Sequence, residues 1–220
     1  MRLQLHQIAY PVTALGPGRR LGIWVQGCNL ACVGCASVNT WDASGGYQAD
    51  TAVLAPQLAG LISRENLTGI TLSGGEPTLQ AAALADLLTR IIGLLPDAEL
   101  DVLLFTGLNQ GVAQRRTPQL WELVDAAVCG PYLPEQPGTG PLRATANQTL
   151  VLRTPLGISR LAEFEQATTG AQVKPTIQVQ VNNGVANFIG LLGPGDLPRL
   201  EAALRARGIE IGGRTWQTTA

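Results

Sequence analysis

Gly27-Cys28-Asn29-Leu30-Ala31-Cys32-Val33-Gly34-Cys35 sets three cysteines in the spacing C-x3-C-x2-C. Three thiolates on one short loop can hold three corners of a [4Fe–4S] cube, and a fourth nearby cysteine would close the site, as in electron carriers. None follows nearby, so one iron is left without a protein ligand and open to a small molecule, much as a catalytic zinc keeps one open position. Zinc held by Cys28, Cys32 and Cys35 with His6 or Cys129 is the alternative, and the lack of paired C-x2-C knuckles counts against it. Cys129 ends an apolar run and reads as a small buried hydrophobe. His6, the single histidine, reads as a surface or packed residue.

The surrounding chain is compatible with a redox site in a globular protein. Its 220 residues suit one domain, or one domain with a small extension, and fall short of the ~250 usual for a closed (β/α)8 barrel. Hydrophobic residues at 45% and charged residues at 14% exclude a disordered chain and supply a core. A net charge of −1 gives no footprint for nucleic acid or an anionic membrane surface. No stretch approaches the ~20 apolar residues of a membrane span, and the polar start Met1-Arg2-Leu3-Gln4-Leu5-His6-Gln7 does not read as a signal peptide. A cytoplasmic location is the expectation, where thiols stay reduced and cysteines serve metal or redox chemistry rather than disulfides.

Strands and helices alternate along the chain. Residues 21–25, 69–72, 101–105, 126–129, 148–152 and 177–181 read as strands, and 51–62, 78–95, 118–127 and 196–207 as helices. The stripe Leu84, Leu87, Leu88, Ile91 and Leu95 marks the clearest helix, and its role is core packing. Residues 134–140, rich in Pro and Gly, read as loop. This alternation predicts an α/β fold with five or six parallel strands, open or partial rather than closed as a barrel. Ligands in such folds sit at the C-terminal ends of the strands. There the turn Ser73-Gly74-Gly75-Glu76-Pro77-Thr78 and the pair Thr106-Gly107 end two successive strands. Gly74 and Gly75 let backbone approach a ligand. Glu76 can accept a hydrogen bond from an ammonium or a ribose hydroxyl, and a plain strand-to-helix turn with an N-terminal Pro is the alternative.

Together, C-x3-C-x2-C after a strand and Gly74-Gly75-Glu76-Pro77 after the next resemble the radical S-adenosylmethionine (SAM) superfamily. Gly16-Pro17-Gly18-Arg19-Arg20, Gln26-Gly27-Cys28, Asn39-Thr40-Trp41, Phe105-Thr106-Gly107, Gly130-Pro131-Tyr132 and Asn147-Gln148 extend the resemblance, over about residues 14–152, to the activating proteins of anaerobic (class III) ribonucleotide reductases. Gly34 stands where many of these enzymes carry an aromatic residue, which favours the activating branch. Ala126-Ala127-Val128-Cys129-Gly130 lacks the acidic residue often found before Gly-Pro-Tyr.

The resemblance implies a partial (β/α)6-type barrel, with residues 1–155 as radical SAM core and 156–220 as a short α+β extension packed on it. It implies a [4Fe–4S] cluster on Cys28, Cys32 and Cys35, with SAM chelating the open iron and being cleaved to a 5′-deoxyadenosyl radical. By the same resemblance the turn at Gly74, Gly75 and Glu76 binds the SAM amino group, and Thr106 and Gly107 meet its adenosyl part. Asn147 and Gln148 meet ribose or partner, or make a strand-edge hydrogen bond. Trp41 shields the cluster or packs; Arg19 and Arg20 steer a carboxylate or stay solvated, and for Arg20 the solvated reading is favoured. The implied partners are a glycyl-radical protein, the large subunit of an anaerobic ribonucleotide reductase, and a flavodoxin- or ferredoxin-type reductant. A small-molecule enzyme of the 7-carboxy-7-deazaguanine synthase type is the runner-up. It commonly carries Asp-Thr after the third cysteine, where this chain has Ala36-Ser37. A non-enzymatic iron–sulfur or zinc module is a third reading.

Overall fold

The protein is described by a computed structural model covering residues 1–166, 177–182, 185–192 and 195–209. Its frame is a seven-stranded sheet. Four central strands run parallel: β2 (Arg20–Val25), β4 (Gly69–Gly74), β5 (Asp101–Thr106) and β6 (Ala126–Cys129). On one side lie β1 (Arg2–Val12), antiparallel to β2, and β3 (Tyr47–Asp50), antiparallel to β1. β9 (Thr149–Leu152) closes the other edge, antiparallel to β6. The fold is therefore mixed α/β with a parallel centre, and the five or six parallel strands expected from the alternation are four among the described residues.

The parallel strands need crossovers, and helices supply them. Between β3 and β4 runs α1 (Thr51–Glu65), started by Asp50, whose side chain accepts from Ala52 N, and stopped by the left-handed Asn66. α2 (Ala81–Leu94) follows β4, and α3 (Gln110–Arg116) with α4 (Pro118–Glu122) follows β5. Leu84, Leu87, Leu88 and Ile91 of α2 are fully buried against Ile70, Leu72, Val102 and Leu104. This is one face of the sheet. On the other, α5 (Pro155–Gln166) brings Leu161 against Leu103, Ala126 and Val128. Alternation along β5 and β6 thus splits neighbours between two cores, as period-two geometry requires.

Several expectations are corrected. The helix expected at 78–95 starts at Ala81, because residues 77–80 form a 3-10 turn behind Pro77. The helix expected at 118–127 stops at Glu122, since Asp125 must turn back to receive Val102 N before β6 begins. The Pro/Gly segment 134–140 is not all loop. β7 (Pro137–Gly140) pairs with β8 (Arg143–Thr145) in a small hairpin. Beyond α5 lie a second hairpin, β10 (Ile177–Asn182) with β11 (Val185–Gly190), and α6 (Asp196–Arg205).

Arg20 is also corrected, since it is fully buried at the N-terminal end of the parallel strands. Its guanidinium donates to Thr71 Oγ1 (2.7 Å), Ile70 O (2.9 Å) and Asp101 Oδ2 (2.6 Å). Asp101 Oδ1 accepts from Arg160 of α5 at 2.9 Å. Asp101 thus ties β2, β5 and α5 at the floor of the sheet, opposite the end where the cysteines emerge. Removing one partner of a buried pair leaves the other charge uncompensated, so Asp101→Ala is expected to cost about 3–5 kcal/mol. A denaturant midpoint with unchanged slope checks this, and Arg20→Met should cost less, because Asp101 keeps Arg160 as its partner.

Candidate radical site

The cysteine loop leaves the end of β2 and is held from below by polar side chains. Gln26, buried, donates from Nε2 to Asn39 O (3.0 Å) and Asp42 O (2.7 Å). Its Oε1 sits 3.0 Å from His6 Nδ1, and His6 Nε2 sits 2.9 Å from Asn39 Nδ2. The network assigns the ring hydrogen to Nδ1, because Asn39 can only donate from Nδ2. His6 is therefore a brace for the loop. Gly27 N donates to Thr40 O (2.8 Å) and Cys28 N to Trp41 O (3.1 Å), which returns the loop onto its own base.

Cys28, Cys32 and Cys35 all line one cavity of about 860 Å³, within the range of small-molecule and cofactor sites. Partial burial pushes the Cys28 and Cys35 thiols up, and donors pull the other way: the Leu30 and Ala31 backbone at Cys28, the Ser37 backbone and the Trp41 side chain at Cys35. Ser37 N lies 3.3 Å from Cys35 Sγ. Such N–H donors favour a sulfur that carries negative charge. Among the described residues no group of three His, Cys, Asp or Glu side chains is gathered to hold a single metal ion. A cube takes one thiolate per iron at separate corners and does not need the three sulfurs to converge on one point.

The Gly-Gly-Glu turn is stapled to this loop. Gly75 N donates to Val25 O and Glu76 N to Gly27 O, both at 2.9 Å. The approach is so close that a Cβ on Gly75 would fall 2.2 Å from Gly27 O. Glu76 is 1% exposed. Its Oε1 accepts from Thr78 N (3.0 Å), Thr78 Oγ1 (2.7 Å) and Thr106 Oγ1 (2.8 Å), and its Oε2 accepts from Gly107 N (2.8 Å). The carboxylate expected to receive an ammonium or ribose hydroxyl is thus occupied by four protein donors, and it joins the ends of β4 and β5. Gly107 has a second function: a Cβ there would lie 2.3 Å from Leu30 Cδ1, so the Leu30 side chain of the cysteine loop packs directly against the end of β5.

Gly74, Gly75, Glu76, Thr106 and Gly107 line the same cavity as the cysteines. Asn147 is not part of that lining. It donates from Nδ2 to Pro131 O at 2.8 Å, and its Oδ1 is buried without a partner among the described residues. Gln148 does line the cavity, but its amide is used by Ala144 N, Thr145 N and Gly130 O, which is the strand-edge alternative. Cys129 is buried in the core beneath, and burial, with the nearby Glu76 charge, pushes its thiol up to about 12. It stays protonated at neutral pH and is a poor ligand. The residues missed in the sequence are the braces His6, Gln26 and Asn39. Their residue types give no signal, because each acts through partners on separate segments.

No lysine or arginine lines the cavity among the described residues, which suits a sulfonium cation beside a thiolate loop. The donor set and the glycine-lined turn therefore fit a cluster and SAM. Over residues 14–151 the chain matches the family described as "4Fe-4S single cluster domain". It is 31% identical over 153 residues to the anaerobic ribonucleoside-triphosphate reductase-activating protein of Vibrio cholerae, a match covering 67% of this chain and 97% of that protein. It is 30% identical to the protein of the same name from Enterobacteria phage T4, covering 61% and 85%. A shorter match, 33% identical, reaches the pyruvate formate-lyase-activating enzyme of Clostridium pasteurianum over 39% of this chain and 37% of that enzyme.

Anaerobic reconstitution should give about four irons per chain, the stoichiometry of one cube. Cys129→Ala should keep that iron content and Cys28→Ala should lose it, as read by iron analysis and visible absorption. Trp41→Phe should keep the iron but move the cluster's reduction potential to more negative values, because a donor to a ligating sulfur is gone.

Proposed function

This chain belongs to the 4Fe-4S single cluster domain family, and we propose on that footing that it is a radical SAM enzyme that installs a glycyl radical on a partner protein such as an anaerobic ribonucleotide reductase. Cys28, Cys32 and Cys35 hold the cluster, and Gly74, Gly75, Thr106 and Gly107 receive SAM. The observation that carries this reading is that the three thiols and the two strand-end turns line one cavity. When bound, cluster and SAM supply one-electron cleavage of the sulfonium to methionine and a 5′-deoxyadenosyl radical, which takes hydrogen from a glycine Cα.

The protein's own residues position and shield. Backbone at Gly74 and Gly75 can approach a ligand closely because no Cβ intervenes. Glu76 acts as a positioning residue, holding the two turns at a fixed spacing through Thr106 and Gly107. Trp24, Phe105 and Val128, on the sheet face opposite α2, give the cavity a dry inner wall. A glycine is the one residue whose Cα can come within the ~3–3.5 Å needed for reaction without a side chain in the way.

The finer architecture is part of the same proposal: a partial barrel in residues 1–155 and an extension in 156–220 packed on it. So are a cytoplasmic location and a flavodoxin- or ferredoxin-type reductant. No helix among the described residues is long and apolar enough to cross a membrane. The small-molecule alternative is disfavoured by Ala36-Ser37 after the third cysteine and by the lack, among the described residues, of a cationic side chain in the cavity to hold an acidic metabolite.

The reduced protein with SAM should release 5′-deoxyadenosine, and with the large reductase subunit of the same source should give a glycyl doublet by electron paramagnetic resonance. Absence of the doublet with efficient turnover on a free metabolite would overturn the assignment. Glu76→Gln replaces one acceptor oxygen with a donor facing other donors. It should raise KM for SAM about tenfold or more while iron content stays full, on the scale of a lost hydrogen bond to a charged group.

A further inference from the structure

The family match ends at residue 151, and the Vibrio relative, matched over 97% of its own length, accounts for 67% of this chain. The C-terminal hairpin and helix beyond that match have a geometry of their own. Alternate residues of β10 face opposite ways. Gln178 and Gln180 clasp the end of β1: Gln178 donates to Pro11 O (2.6 Å) and accepts from Thr13 N (2.9 Å), and Gln180 donates to Pro11 O (3.2 Å). Ile189 of β11 is buried with Ala9, Val12, Leu15 and Trp24. Val179 and Val181 line the cavity instead, yet stay 51% and 67% exposed. Val179 pairs with Phe188 and Val181 with Ala186, so both strands present one apolar face. α6 adds Leu197, Leu200 and Leu204 to the same cavity at helical spacing.

A wall of this composition shares the cavity with the cysteine loop and is fixed to the end of β1 through Gln178 and Gln180. Charge settles what suits it. The cavity is lined by no lysine or arginine among the described residues, and its carboxylate, Glu76, is already bonded. An anion entering would be desolvated with no counter-charge. An apolar peptide segment without acidic residues would cover the exposed valines and leucines and keep its backbone polar groups toward the open mouth.

We propose that β10, β11 and α6 form a specificity-determining docking wall for an apolar segment of the partner protein that carries no acidic residue and brings the reactive glycine to the cysteine loop. This rests on the glycyl-radical reading above and deepens it by naming the chemistry of the partner segment. Val179, Val181 and Phe188 are the selecting residues on the hairpin, and Leu200 is the selecting residue on the helix.

The test uses the full chain with reconstituted cluster and two short fluorescent glycine-centred peptides, one flanked by Leu and Val, the other by Asp. Anisotropy should show the apolar peptide binding and the acidic one binding at least about tenfold more weakly, the scale of burying versus stranding one or two side chains. Val179→Asp with Val181→Asp should weaken the apolar peptide by about the same factor, with iron content and deoxyadenosine release from SAM alone unchanged. Val181→Ser, a milder change, should move binding in the same direction. Equal binding of the two peptides, or wild-type binding by both variants, overturns the wall. Peptide selection as expected with no deoxyadenosine released upholds the wall and overturns the radical reading.

Discussion

A buried carboxylate that accepts four hydrogen bonds is the constraint around which the site is built. Glu76 is buried, so its charge depends on donors held at Thr78, Thr106 and Gly107. Its own backbone N–H is tied to Gly27 O, one residue before the first cysteine. A displacement at the end of β4 is therefore felt at the end of β5 and at the root of the cysteine loop. The sulfurs themselves are held by short local contacts, but the loop that carries them takes its orientation from this carboxylate and from Gln26. Buried polar networks of this kind specify geometry more than they add stability.

The sheet separates that function from its foundation. At the N-terminal ends of the parallel strands Asp101 sits between Arg20 and Arg160 and is satisfied within the protein. At the C-terminal ends the polar groups include thiols and glycine backbone left facing a cavity. Strands buried on both sides connect the two ends, and their rigidity lets a site with few contacts of its own be well positioned.

How much of this is legible in the sequence depends on how local each signal is. β2, β4, β5 and β6 announce themselves as short apolar runs, and α2 by its leucine stripe. β1 does not, because the alternation of buried Leu3 and Leu5 with Arg2, Gln4 and His6 is short, and register shifts after Leu5 and after Ala9 break the pattern beyond it. α3 has one fully buried residue, Ala113, and so no stripe to read. Arg20 looks like its solvated neighbour Arg19 until Asp101, 81 residues on, is brought beneath it. The cysteines and the Gly-Gly-Glu turn are readable because their chemistry depends on spacing. The partners of Glu76 are not, since Thr106 lies 30 residues away.

The clasp of Gln178 on Pro11 joins positions 167 residues apart and so bears on the order of assembly. Chains emerge from the ribosome N-terminus first and contacts between distant segments form last. β1, the cysteine loop and both strand-end turns are all present before the hairpin that closes over them is made. Until residues 177–182 are made, the end of β1 lacks the side chains that clasp it, and the cavity lacks Val179 and Val181.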